Sequence, residues 1–255
     1  MELFIILVFI LGFFVSILSA VAGIGGGALY TPILHFIVGL QLENALAVAS
    51  SGILVGSLIA SIIYLKRGVP VIEIAIPILA GQLISSSIST YLTVIIPKSI
   101  IYIVLSTVLI WNFIKIIRSN RIGVSEVYRE YRMSEFLLLG LFVGFIAPLA
   151  GIGGGVIIVP SLIGIYGVDS KVASATSLLV IAGSYTLVTS IHIVLGNMVY
   201  GYSLPLIIGI LIGSILGTKI HKISKPIYIQ YLVGVIALIF GLYTIYKLIE
   251  SLITV

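Results

Sequence analysis

Ala20-Val21-Ala22-Gly23-Ile24-Gly25-Gly26-Gly27 returns in the second half of the chain as Pro148-Leu149-Ala150-Gly151-Ile152-Gly153-Gly154-Gly155, 128 residues later. The same offset carries Pro32 onto Pro160, Gly39 onto Gly167, Pro77 onto Pro205, Gly81 onto Gly209, Ser86 onto Ser214 and Thr90 onto Thr218. Between these landmarks Ala47-Val48-Ala49-Ser50-Ser51 matches Ala173-Ser174-Ala175-Thr176-Ser177, with a two-residue slip. One register held over so many positions marks a tandem duplication. The halves are residues 1–118 and 134–255. They meet at 119–133, a polar segment carrying Arg121, Glu126, Arg129, Glu130 and Arg132, which reads as a linker outside the membrane.

Each glycine block interrupts a long apolar run, and composition says what surrounds those runs. Of 255 residues, 60% are apolar and 8% charged, with a mean hydropathy of +1.34. A soluble domain is about one quarter charged because it must coat itself in a water-facing surface. Here the solvent for most of the surface is lipid. A spanning helix needs about 20 apolar residues, and the uncharged stretches 3–34, 44–65, 74–97, 99–114, 136–168, 172–191, 199–218 and 226–246 nearly all meet or approach that length. The net charge of +5 comes from Lys and Arg scattered over helix ends, which fits helix orientation rather than nucleic acid binding. With no cysteine there is no disulfide framework, thiol nucleophile or thiolate metal site. Met1-Glu2-Leu3-Phe4 lacks a basic secretory n-region, so the first apolar run is expected to stay as a helix.

The fold expected is an all-α integral membrane protein. Residues 3–22 are long enough to cross a bilayer, whereas 28–39 reach only about 18 Å at 1.5 Å per residue. The second half copies this with 134–150 and a short 156–166. Each half is then four full-length helices plus one half-helix after the glycine break, the others being 44–65, 70–92 and 99–117, then 171–194, 199–219 and 226–249. If the break leaves the chain direction unchanged, the thirteen Lys and Arg divide eight against five across the membrane. If it reverses the chain, the halves are inverted and the division is eleven against two, as the positive-inside rule requires. Inverted repeats are therefore expected, with eight spans and two half-helices. The 119–133 linker is expected in the cytoplasm and the termini outside the cell membrane.

Gly23, Gly25, Gly26 and Gly27, with Gly151, Gly153, Gly154 and Gly155, are the leading candidate substrate-binding residues. They fail the dinucleotide pattern, whose third glycine would fall on Ala28 or Val156, and no Lys-Ser/Thr follows for a phosphate loop. Non-helical backbone inside a bilayer is tolerated only where protein or a wet cavity satisfies it. Consecutive glycines let bare N–H groups approach a ligand, and the helices opening at about Ala28 and Val156 aim their positive dipole ends there. Two such ends converging from inverted halves suit an anionic solute. The competing explanation is close helix packing through small residues. Ser50, Ser51, Thr176 and Ser177, early in the next helix of each half, are candidate donors to the same anion, or else bond their own helix carbonyls.

Among the ionisable groups, Glu73 is the one acid well inside an apolar stretch, and His192 stands where the first half has Tyr64. Both are candidates for proton coupling. Paired carboxylates, HExxH and clustered metal ligands are lacking, so the chain is not expected to be an enzyme, and no cofactor or metal is expected. The partners expected are the lipid bilayer and a small anionic solute. A homo-oligomer is compatible with this, and nucleic acid is not. A channel-like pore, a membrane-embedded enzyme and a scaffold subunit are the rival readings.

Two units that each begin with an AGIGGG block, a Pro five residues on, a Gly, and Ala-x-Ala-Thr/Ser-Ser opening the next helix resemble the sulfite exporter TauE/SafE family, also called the toluene sulfonate uptake permease family. The resemblance covers roughly residues 10–250. It implies a secondary transporter of the cytoplasmic membrane, with small sulfur oxyanions or organosulfur anions such as sulfite, sulfonates and sulfoacetate as solutes, often exported.

Overall fold

The computed structural model describes residues 2–97 and 132–223 continuously, with isolated positions between 99 and 114 and between 225 and 249. The linker up to residue 131 lies outside the described residues, as do most of the helices expected over 99–117 and 226–249. What is described is helical throughout, without strands. The helices are α1 (Glu2–Ala22), α2 (Gly27–Pro32), α3 (Leu42–Lys66), α4 (Ile72–Ile95), α5 (Met133–Ala150), α6 (Gly155–Gly164), α7 (Ser170–Val194) and α8 (Tyr200–Ile223). All but α2 and α6 are long and apolar enough to cross a membrane, giving six spans among the described residues. Their outward faces are apolar: Ile6, Phe14, Ile84, Leu138 and Ile208 are each more than half exposed.

α1 and α5 end where a glycine takes a positive φ, 75° at Gly23 and 63° at Gly151. Gly25, Gly26, Gly153 and Gly154 repeat that conformation, which side chains with a Cβ rarely adopt. The expected half-helix 28–39 is not uniform. After Pro32, which has no N–H to donate, the chain continues as a π-helical stretch over Ile33–Ile37. α6 stays α-helical through Pro160.

One reading of the sequence needs correcting. α3 and α7 are both 25 residues long and start 128 apart, and the positive-φ glycines around them, Gly39 with Gly167 and Gly68 with Gly196, keep the same offset. The two-residue slip is therefore absent. Ser50 and Ser51 stand opposite Leu178 and Leu179, while Thr176 and Ser177 stand opposite Val48 and Ala49. Two residues turn a helix by about 200°, so the two hydroxyl pairs do not share a face.

The helices pack through small residues. On α8, Gly209 lies against Phe9 and Phe13, Gly213 against Phe13 and Ser16, and Gly217 against Ile17 and Ala20 of α1. The numbers rise together, so α1 and α8 run parallel. α4 and α5 repeat the arrangement, with Gly81 against Leu137 and Leu141, and Gly144 against Gln82 and Ser85. Without a hydrophobic drive between helices in lipid, such close backbone approach holds them together. α3 packs on α7 and α8, and α7 on α4. The Tyr64 hydroxyl donates to the Ala20 carbonyl at 2.7 Å, joining the last turns of α1 and α3. The stretch between them therefore brings the chain back across the depth that α1 crossed.

Candidate functional site at the paired glycine breaks

The two breaks touch one another, backbone against backbone. A Cβ on Gly27 would collide with the Gly151 carbonyl and approach Ile152 C to 2.7 Å. A Cβ on Gly155 would collide with the Gly23 carbonyl and approach Ile24 Cα to 2.7 Å. Gly25 and Gly153 face each other between Ile53 of α3 and Ile181 of α7. The structure thus brings all eight predicted glycines to one place.

Exposed backbone polar groups inside a bilayer must be satisfied by protein, and four side chains that sequence reasoning passed over do this. The Thr31 hydroxyl donates to the Gly151 carbonyl at 2.7 Å. Ser174 donates to the Ser170 carbonyl at 2.8 Å and lies 3.2 Å from the Ala22 carbonyl. The Tyr185 hydroxyl accepts from the Gly153 N–H at 3.0 Å, and Tyr64 serves the end of α1. A hydroxyl within reach of a glycine break in an otherwise apolar run was the available signal.

The first N–H groups of α2 and α6 have no intrahelical partners. Their N-caps, Gly26 and Gly154, supply no side-chain hydrogen bond. By contrast α7, which begins at an end of the bundle, is capped by Asp169 Oδ1, accepting from the N–H groups of Lys171 and Val172. The surroundings of the two glycine caps differ. A Cβ on Gly26 would meet the Tyr30 ring at 2.6 Å. A Cβ on Gly154 would lie 3.0 Å from Val143 and 3.1 Å from Nε2 of Gln82. Gln82 is 2% exposed and its Oε1 has no hydrogen-bond partner. Its offset partner is Ile210, so the duplication carries no signal for it.

The predicted hydroxyls are scattered by comparison. Ser50 and Ser51 donate back to the carbonyls of Ala47 and Val48. Thr176 Oγ1 accepts from Val71 N–H, just ahead of α4, at 3.0 Å. Ser177 Oγ is buried without a partner. Glu73 is exposed in the first turn of α4, away from the breaks, and His192 is 1% exposed near the end of α7 with Nδ1 unpartnered. Among the described residues no three His, Cys, Asp or Glu side chains come together in a group able to hold a metal.

The model of the family described as sulfite exporter TauE/SafE matches residues 8–244. The chain belongs to that family. A probable membrane transporter protein of Methanocaldococcus jannaschii, MJ0441, is 32% identical over 254 residues, covering 93% of this chain and 94% of that one. The Bacillus subtilis probable membrane transporter YunE is 30% identical over 133 residues, 52% of this chain and 49% of its own. A protein of Arabidopsis thaliana named sulfite exporter TauE/SafE family protein 3 is 32% identical over 135 residues, 49% of this chain and 28% of its own. No solved structure matches. These relatives and the helical architecture make the chain a multi-pass membrane transporter, not an enzyme.

Proposed function

We propose that the chain is a secondary transporter of a small anion, such as sulfite, a sulfonate or another organosulfur anion, exported by alternating access around the paired breaks. The observation that carries this reading is the meeting of two uncapped helix starts, α2 and α6, inside the membrane. Free N–H groups and the positive end of a helix dipole favour an anion. The organosulfur class rests on the family's description and on the name of the Arabidopsis relative. Of the two breaks, the one at Gly154 holds the anion, because Gln82 adds a buried amide N–H there, while Tyr30 covers Gly26. Proton coupling through His192, rather than the exposed Glu73, belongs to the same reading.

The halves, 1–118 and 134–255, act in this proposal as inverted repeats of four spans and one half-helix each, with the 119–133 linker in the cytoplasm and the termini outside. Two observations support it besides the eleven-to-two charge split. α1 and α3 end together, so the break reverses the chain. Leu46 lies at Gly151 and Ile53 at the centre, whereas Ser174 lies at Gly23 and Ile181 at the centre, so α3 and α7 cross in opposite directions.

The test is flux into proteoliposomes with sulfite, ethanesulfonate, sulfate and acetate. Saturable flux of sulfite or the sulfonate is expected, and Gly154→Val abolishes it while leaving membrane insertion intact. Flux that rises without saturation indicates a pore. Normal flux in Gly154→Val, or none of any anion in the native chain, overturns the proposal.

A further inference from the structure

α4 carries an unbroken polar stripe where a lipid-spanning helix has no need of one. Gln82, Ser85, Ser86, Ser89, Thr90 and Thr93 fall at helical spacing on a single face, and none is more than 8% exposed. Part of the stripe has structural work. Ser89 donates to the Phe145 carbonyl of α5, Ser85 sits beside Gly144, and Thr90 and Thr93 bond carbonyls of α4 itself. Gln82 Oε1 and Ser86 Oγ bond to nothing. Towards the end of α7, which packs on α4, His192 Nδ1 is also unpartnered. A buried polar atom left unpaired is costly, so three along one route ask for an occupant.

The duplication repeats the feature. Ser214, 128 residues after Ser86, is likewise buried and unpartnered, 3.4 Å from the Cβ position of Gly56 on α3. About two turns beyond it, His221 Nε2 is unpartnered and its ring centroid lies 4.8 Å from that of Tyr64, the offset partner of His192. Each route thus has an orphaned serine in mid-helix and an orphaned histidine towards its end. They leave the centre in opposite directions, because α4 and α7 run one way and α3 and α8 the other. The α3–α8 route ends at Arg67, which donates to the Thr218 carbonyl at 2.8 Å, with Lys219 and Lys222 following Thr218 on α8.

We propose that these two faces line the two access paths of the transporter: α4 with α7 from Gly154 to one side of the membrane, α8 with α3 to the other. In use, water and the solute satisfy the orphaned atoms. The inference rests on the transport reading above but does not depend on which anion is carried.

The chain has no native cysteine, so single cysteines can be read directly. Ser86→Cys and Ser214→Cys, with Thr93→Cys and His221→Cys as a second pair, are treated with a membrane-impermeant thiol reagent in vesicles of each orientation. Ile84→Cys and Ile212→Cys, also 128 apart and facing lipid, are the references. A thiol in lipid stays protonated and inert, so the path cysteines should react about tenfold faster than the references or more. Ser86→Cys and Thr93→Cys should label from one side, Ser214→Cys and His221→Cys from the other. Labelling of both pairs from the same side, or no faster than Ile84→Cys and Ile212→Cys, overturns the proposal. Because labelling needs no flux, correct labelling in a chain that moves none of the anions above would sink the anion reading and leave the paths standing. Flux with no labelling would do the reverse.

Discussion

Replacing Gly27 by alanine tests whether the breaks are closed against each other as tightly as the structure implies. The new methyl would collide with the Gly151 carbonyl and lie 2.6 Å from Ile53 Cδ1 and 2.7 Å from Ile152 C. Carbon contacts are comfortable at about 3.5–4.0 Å, so the breaks must part by about an ångström. Overpacking of this kind costs about 1–3 kcal/mol. The upper end applies because the obstacles include backbone, which cannot rotate away. Two other glycines calibrate the scale. Gly39 has φ +81° but nothing within 4 Å, so Gly39→Ala meets only the left-handed penalty of about 1–2 kcal/mol. Gly201 has open space and sits within the first turn of α8, so Gly201→Ala should be neutral or stabilise by up to about 1 kcal/mol. Purified protein in detergent, melted under circular dichroism, should rank the three in that order. At about 2–4 °C per kcal/mol, Gly27→Ala should melt about 6–12 °C below the native chain. Gly155→Ala should match it, since Gly23 opposes it in the same way. Parting the breaks once relieves both collisions, so the double variant should lose less than the sum. Gly27→Ala melting at or above Gly39→Ala, or additivity in the double variant, would refute the reasoning.

Gln82→Glu keeps the volume and places a negative charge near the start of α6, where the dipole tolerates it. Like charges about 4 Å apart repel by about 4 kcal/mol at an effective dielectric near 20. Anion flux should therefore fall at least tenfold, and unchanged flux would remove Gln82 from the site. Tyr185→Phe leaves the buried Gly153 N–H without its acceptor and should cost about 1–3 kcal/mol by the same melt. Ser57→Ala at the offset position removes only bonds back to its own helix and should cost much less. Asp169→Ala removes the α7 cap and should cost about 1 kcal/mol. A loss near zero would mean that water replaces the carboxylate there.

Helix number and placement among the described residues were legible because apolar length and glycine conformation are local properties. The sequence reading of 44–65 became Leu42–Lys66, and that of 134–150 became Met133–Ala150. The start of the fourth helix moved from 70 to Ile72, because Val71 is extended and its N–H donates to Thr176 Oγ1, a partner 105 residues away. No local signal carries that. The hydroxyl register failed for a related reason. Ala-x-Ala followed by two hydroxyl residues looks alike in both halves, but composition carries no helix phase, and the start of each helix fixes the phase. Ser50 and Thr176 were therefore matched by chemistry although the helix turns them to different neighbours.

Duplication also hides where two halves have parted in their side chains. The glycine framework is kept pair by pair: Gly27 with Gly155 and Gly81 with Gly209, each closing on equivalent backbone. A repeat search finds these because they hold the architecture. The side chains around the breaks do not match. Gln82 stands against Ile210, Tyr185 against Ser57 and Tyr30 against Ile158. In a symmetric scaffold whose backbones must fit each other, side chains are the part free to differ. Tyr185 holds Gly153 and Gln82 reaches Gly154 at the second break, whereas Tyr30 covers Gly26 at the first. A solute bound equally by both halves would give no reason for that asymmetry. One bound mainly at α6, and released along paths that the duplication made in mirror order, does give one.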